Sequence, residues 1–178
     1  MTKEETWAAL VALGAVEGKS TQTGWNLHEA NLSEVNLSGA DLHGADLHGT
    51  DFGEGDLSRA DLHGADLTEA DLHGADLTEA YLRGANLRLA YLAEVSLTRA
   101  NLRQANLREA DLTNATLTAS VLTKADLTMA NLSGACIDNA NISGWVIKDV
   151  TCSLNRIEVL NVAGPCQSED PKIYRTTL

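Results

Sequence analysis

The chain has 178 residues, 44% of them apolar, a net charge of -12 and only two prolines. That length suits one domain, and the acidic balance disfavours nucleic acid as a direct ligand while leaving basic protein surfaces open as partners. No apolar run reaches the about 18 residues of a membrane span and no signal-peptide pattern opens the chain, so it reads as soluble and cytoplasmic, with no membrane partner.

Residues 1–24 form a lead-in unlike the rest. Thr2 followed by Glu5 reads as a capping box, and Trp7, Leu10 and Val11 recur at helical spacing before Gly14, a plausible helix stop. The pattern predicts a short N-terminal capping helix.

Residues 25–149 repeat one phrase, Ala-Asp/Asn-Leu-x-x, without insertion or deletion. Of the 25 central positions from Leu27 to Ile147, spaced five apart, 21 are Leu and the others are Phe52, Ile137, Ile142 and Ile147. Two residues before each centre the chain carries Ala or another small residue, with Trp25 and Trp145 as the large exceptions. In an α-helix, residues five apart rotate by about 140°, so the Leu series would form no stripe. In a long strand an odd repeat would send successive Leu residues to opposite faces. The chain must therefore turn a corner every five residues. Gly39, Gly44, Gly49, Gly64, Gly74, Gly84, Gly134 and Gly144 all fall on the second corner position, where positive φ is needed. Asp, Asn, Ser and Thr fill the outward positions, where short polar side chains can bond nearby backbone. Repeated corners make coils, and stacked coils make an all-β solenoid.

These residues, Ala40-Asp41-Leu42-His43-Gly44 and their relatives, resemble the pentapeptide-repeat family. The resemblance implies a right-handed quadrilateral β-helix with four pentapeptides per coil. Trp25 and Trp145 cannot fit where the interior accepts a methyl group, so they are expected to mark the two ends of the regular interior. Phe52, the one aromatic centre, has Thr50 and Gly55 in the flanking small slots, which reads as local volume compensation. Over residues 150–178 the register decays through Asn155, Pro165 and Pro171, predicting an irregular last coil and a tail.

No nucleophile elbow, phosphate loop or helical His pair is present, so the chain reads as non-enzymatic, with no cofactor. Cys136, Cys152 and Cys166 are odd in number and lack C-x-x-C spacing, and read as free thiols. All five histidines, His28, His43, His48, His63 and His73, occupy the first corner position. A twenty-residue coil would stack His28 on His48 and His43 on His63 about 5 Å apart. Those stacks read as solvated corners, and no metal site is assigned.

Sorted by position modulo 20, the outward charges divide four faces unevenly. The face of Leu32, Phe52 and Leu72 carries Glu34, Asp51, Glu54, Asp71, Glu94 and Asp111 and no base. The face of Leu27 and Leu47 is acidic as well, with seven acids against Arg88, Arg108 and Lys148, whereas the face of Leu42 and Leu62 is slightly basic. The leading expectation is a protein-interaction scaffold that uses these acidic faces, with Glu34, Asp51, Glu54, Asp71, Glu94 and Asp111 as the candidate contact. The resemblance offers a second, since some members of the family mimic DNA and bind DNA gyrase. Against that, the rod would be only about 30 Å long at strand spacing, Arg83 to Arg108 interrupt its field, and no C-terminal dimerising element is evident. A structural protein without a dedicated partner is the third. The oligomeric state is left open.

Overall fold

The computed structural model describes residues 25–151. In every repeat the residue before the centre makes a parallel bridge to the residue twenty further on, from Asn26 with Asp46 to Asn131 with Thr151. Twenty residues are four pentapeptides, so each coil has four sides and the described chain stacks six coils and begins a seventh. The expected capping helix over residues 1–24 lies outside the described residues, as does the tail from Cys152 onward. Val150 is still buried in a small slot and Thr151 still bridges Asn131, so the ladder runs two residues beyond 149.

The five-residue phrase follows from backbone hydrogen-bond accounting, since no buried N–H can be left without an acceptor. Around Leu67, four of five amides donate to backbone carbonyls. Leu67 N donates to Asn86 O (2.7 Å) and Glu69 N to Arg88 O (3.0 Å) in the next coil; Asp71 N donates to Thr50 O (3.0 Å) in the previous one; and Ala70 N closes the corner on Leu67 O (3.1 Å). The fifth amide, that of Thr68, points where no carbonyl is available and donates to Oδ1 of Asp66 (3.0 Å). The same side-chain acceptor serves every corner that has Asp or Asn before its centre, for example Gly53 N to Asp51, His73 N to Asp71, Thr113 N to Asp111 and Ser133 N to Asn131. The Asp/Asn letter of the repeat is therefore a corner acceptor first and a surface charge second.

Each corner is a β-turn whose third residue has positive φ, the pattern of a type II turn. Gly would be the default there, yet seventeen such corners carry another residue, among them Glu34 (φ 58°), Glu54 (φ 56°), Leu89 (φ 60°) and Ala119 (φ 58°). A left-handed conformation costs a side-chain-bearing residue roughly 1–2 kcal/mol, and glycine's extra unfolded-state entropy takes back roughly 0.5–1 kcal/mol. Ala119→Gly, which removes one exposed methyl, should therefore stabilise the protein by about 0.5–1 kcal/mol, read as a rise in thermal midpoint of about 1–4 °C.

The interior is a column of stacked Leu flanked by Ala, almost all with no exposed surface. Phe52 is buried, and a side chain on Gly55 would come within 3.0 Å of the Phe52 carbonyl and 3.3 Å of that of Val35, backbone atoms and not the Phe52 ring. Thr50 fills its slot at no polar cost because its hydroxyl donates to Leu27 O at 2.8 Å. Ser120, in a small slot on the opposite side of another coil, has a buried hydroxyl without a partner among the described residues. Trp25 opens the first described coil and is buried, and Trp145 lies in the last, packed against the core. Neither ring sits between two regular described coils.

Candidate protein-binding faces

The six carboxylates of the Leu32 face stand on two kinds of position. Asp51, Asp71 and Asp111 precede their centres, and each accepts at Oδ1 the hydrogen bond of the corner amide two residues on. Asp111 also accepts from the Thr113 hydroxyl and from Asn131 Nδ2 (3.2 Å), a residue one coil away. Glu34, Glu54 and Glu94 sit on the positive-φ corners, exposed, with no side-chain hydrogen bond or ion pair among the described residues. Consecutive coils bring Glu34 and Glu54 to neighbouring corners and Asp51 and Asp71 to one bridge, about 5 Å apart. Among the described residues no cation answers this column.

The Leu27 face has the same acidic composition and a different electrostatic state. Arg88 Nη2 lies 3.4 Å from Glu109, and Arg108 Nη1 lies 3.3 Å from Asp126. Burial pushes the Asp126 carboxyl up, but the Thr128 hydroxyl and amide and then the Arg108 guanidinium outweigh it and hold Asp126 below the ordinary carboxylate range. On the Leu37 face Glu79 bridges Arg59 (3.0 Å) and Arg99 (3.4 Å) in the coils on either side, and those two cations hold its carboxyl below the ordinary range. The sequence groups the Leu27 and Leu32 faces as one acidic surface; among the described residues, ion pairing neutralises part of the first and none of the second. The signal was present, since each pair joins positions 18, 20 or 21 residues apart.

A second division runs along the axis. Residues 26–80 hold thirteen acids against Arg59 alone, a net of -12, whereas residues 81–149 hold six acids against seven bases, a net of +1. From Asp41 to Asp76 every one of eight successive acceptor positions is Asp; beyond Asn86 most are Asn, Ser, Thr or apolar. Asn serves the corner equally well, as Asn101 does for Arg103 N at 3.3 Å. The charge of the first half is thus not required by the corner bond. Sorting by face alone hides this gradient.

The histidine stacks have the expected spacing. Ring centroids are 4.9 Å apart for His28 and His48 and 5.7 Å for His43 and His63, with the planes nearly parallel. No group of three potential ligands forms among the described residues. His43 Nδ1 is instead 2.6 Å from Asp41, and that hydrogen bond raises the imidazole above its ordinary value. Cys136 is a free, half-buried thiol; Cys152 and Cys166 lie outside the described residues. Among the described residues no helix is long and apolar enough to cross a membrane.

The coil of twenty, the inward Leu and Ala and the corner acceptors have their counterpart in known proteins. Eight copies of the model for pentapeptide repeats match the chain, over residues 26–57, 56–92, 70–108, 85–123 and 105–144. The chain belongs to the pentapeptide-repeat family. Among solved structures it is similar to Rfr23, a pentapeptide-repeat protein from the cyanobacterium Cyanothece 51142, at 24% identity and a TM-score of 0.55, covering 80% of this chain and 95% of that one. That likeness shows a β-helix solenoid and nothing of function. HetL, a pentapeptide-repeat protein involved in heterocyst differentiation regulation from the cyanobacterium Nostoc sp. strain PCC 7120, is 30% identical over 84% of this chain and 81% of that one, with a TM-score of 0.33. QnrB1, a plasmid-mediated fluoroquinolone resistance protein, is 15% identical over 72% of this chain and 91% of that one, with a TM-score of 0.40, too slight a likeness to carry an argument. A comparison with curated proteins finds no match.

Proposed function

We propose that this pentapeptide-repeat rod is a non-enzymatic protein-interaction scaffold that presents its Leu32 face to a basic surface on a protein partner. The observation that carries the reading is the set of unanswered carboxylates: Glu34, Glu54 and Glu94 have no partner among the described residues, while Glu109, Asp126 and Glu79 on the two neighbouring faces are engaged by Arg88, Arg108, Arg59 and Arg99. A binding face keeps its charge available, and among the described residues no acid of the Leu32 face is in an ion pair, whereas the neighbouring faces mix paired acids with unpaired ones such as Glu69. Gyrase binding by DNA mimicry requires acidity along the rod, and here residues 81–149 are close to neutral.

Partner capture by wild-type protein is to be compared with two variants of equal net charge. The first, Asp51→Asn, Glu54→Gln, Asp71→Asn and Glu94→Gln, removes four of the six charges of the Leu32 face and keeps both corner acceptors. The second removes the same charge elsewhere through Asp46→Asn, Asp56→Asn, Glu69→Gln and Asp76→Asn. Exposed ion pairs are worth about 0.2–1 kcal/mol each, so losing four should weaken binding by roughly thirtyfold in the first variant and far less in the second. Equal losses in both would mean that total charge and not this face is responsible; no captured partner for wild type would favour a structural protein. A DNA-supercoiling assay with gyrase covers the mimic, for which inhibition lost in the first variant is the signature.

A further inference from the structure

Among the described residues two tyrosines stand on the outside of the rod, in different surroundings. Tyr91 lies on the Leu32 face, in the column of residues that precede the centres, bridged to Asp71 in one neighbouring coil and Asp111 in the other. Its ring stacks on the imidazole of His73, with centroids 5.6 Å apart and planes 23° from parallel, and 45% of the residue is exposed. Tyr81 lies on the Leu42 face with 54% of its surface exposed, bridged to Asp61 and Asn101 and two residues before Arg83.

The groups around Tyr91 are carboxylates with oxygens to spare. Asp71 and Asp111 use Oδ1 alone in their corners, on the amides of His73 (2.9 Å) and Thr113 (3.0 Å), and keep Oδ2 unbonded among the described residues. Glu94, three residues after Tyr91, has no side-chain partner there either. His73 is the titratable base of this side; it forms no ion pair among the described residues, and its Nδ1 is buried without a hydrogen bond. On the adjoining face Arg88 and Arg108 are taken by Glu109 and Asp126, and no described Arg or Lys stacks on Tyr91. The ring is thus exposed among carboxylates with no cation of the chain upon it.

An exposed ring alone would suit any apolar surface, and carboxylates alone would accept any cation. Their combination selects between cations. A guanidinium is planar and weakly hydrated, so it stacks on a ring face while its N–H donors point outward in its own plane toward carboxylates. A lysine ammonium is compact and strongly hydrated, and gains the charge without the stacking.

We propose that Tyr91 is the specificity-determining residue of the Leu32 face, and that the partner segment bound there presents an arginine whose guanidinium stacks on Tyr91 and pairs with Asp71, Glu94 and Asp111. This rests on the reading of the Leu32 face as the binding side and adds the chemistry of what it binds. The coil pitch of about 4.8 Å sets an aspartate on each side of the ring, within the span of one guanidinium fork. Tyr81 is not equivalent, since its bridge neighbours supply one carboxylate instead of two and Arg83 stands beside it.

Capped tetra-arginine and tetra-lysine peptides, titrated calorimetrically into the full chain at about pH 8, above the ordinary histidine range, test this. The two carry equal charge, so the general attraction of the acidic rod cancels in the ratio of their affinities. Wild type should bind the arginine peptide roughly two- to fivefold tighter, the contribution of a cation over an exposed ring. Tyr91→Leu should remove that preference while leaving the lysine peptide nearly unaffected, and Tyr91→Phe, which keeps the ring, should retain it. Tyr81→Leu should leave the preference intact. Each variant is checked for native circular dichroism. The fourfold variant Asp51→Asn, Glu54→Gln, Asp71→Asn and Glu94→Gln should weaken both peptides. A wild type that does not distinguish the peptides, or a preference that survives Tyr91→Leu or falls equally with Tyr81→Leu, overturns the proposal. If the fourfold variant then still weakens both peptides, the face stands as the binding side and only the arginine assignment falls; if it weakens neither, both fall together.

Discussion

Leu87→Asp should unfold the whole described rod and not merely the coil that bears it. Leu87 is 1% exposed, in the fourth of the six stacked coils. The substitution loses about 1.5–3 kcal/mol of leucine burial and forces either an unpaired carboxylate into an apolar column, at several kcal/mol, or proton uptake to avoid it. Together these approach or exceed the 5–15 kcal/mol by which domains are stable. Local repair is blocked by the architecture. A coil has no core of its own, since ordering its twenty residues costs about 1–2 kcal/mol each and the opposing burial exists only against the coils above and below. Opening the fourth coil leaves three described coils on one side and fewer than three described coils on the other, each block with a new exposed end, where about three repeats are the minimum for stability. Far-ultraviolet circular dichroism should lose the β signal, and hydrogen exchange should show amides near Leu42 and Leu127 deprotected together. Retention of about half the signal, with protection confined to one end, would show that the coils fold as independent blocks.

The second large effect separates the structural role of the repeat's Asp from its charge. Asp126 accepts the Thr128 amide at 2.9 Å and the Thr128 hydroxyl through Oδ1, and meets Arg108 at 3.3 Å through Oδ2. Asp126→Ala leaves a corner amide and a buried threonine hydroxyl without their acceptor, and an abandoned donor costs about 1–3 kcal/mol. Asp126→Asn keeps an amide oxygen in the same place and forfeits only a partly exposed ion pair, worth about 0.2–1 kcal/mol. Denaturant titration should therefore place the alanine variant about 2 kcal/mol below wild type and the asparagine variant within about 1 kcal/mol of it. Equal losses would mean that the charge and not the acceptor is what residue 126 supplies, and the account of the Asp/Asn letter would fail with it.

Much of this architecture is legible in the chain because each repeat solves a local problem. Leu62 and Ala65 recur at five because the corner after each centre returns the next small residue to the same narrow interior, and an odd period is incompatible with an unbroken helix or strand. The glycines at 44, 64 and 84 are legible for the same reason, being the residues for which positive φ is cheapest. Less visible was the demand behind Asp66 and its relatives. Read as outward charges that could bond nearby backbone, they prove to be the acceptors of the one amide in five that the coil ladder cannot satisfy. Their placement on a face therefore says little about binding, whereas the corner glutamates, which no backbone group needs, say more.

The sequence by itself determined that the chain is a solenoid of five-residue sides, which residues fill it and which point outward, since those properties depend on neighbours within one corner. Which outward carboxylates remain available was decided only by the tertiary structure. Arg108 reaches Asp126 and Arg88 reaches Glu109 because coil stacking sets residues 18 and 21 positions apart side by side. Coulomb attraction acts over that short spatial distance and is blind to the long sequence distance. Two faces of like composition thereby become one that is partly neutralised and one, bearing Glu34, Glu54 and Glu94, that is not.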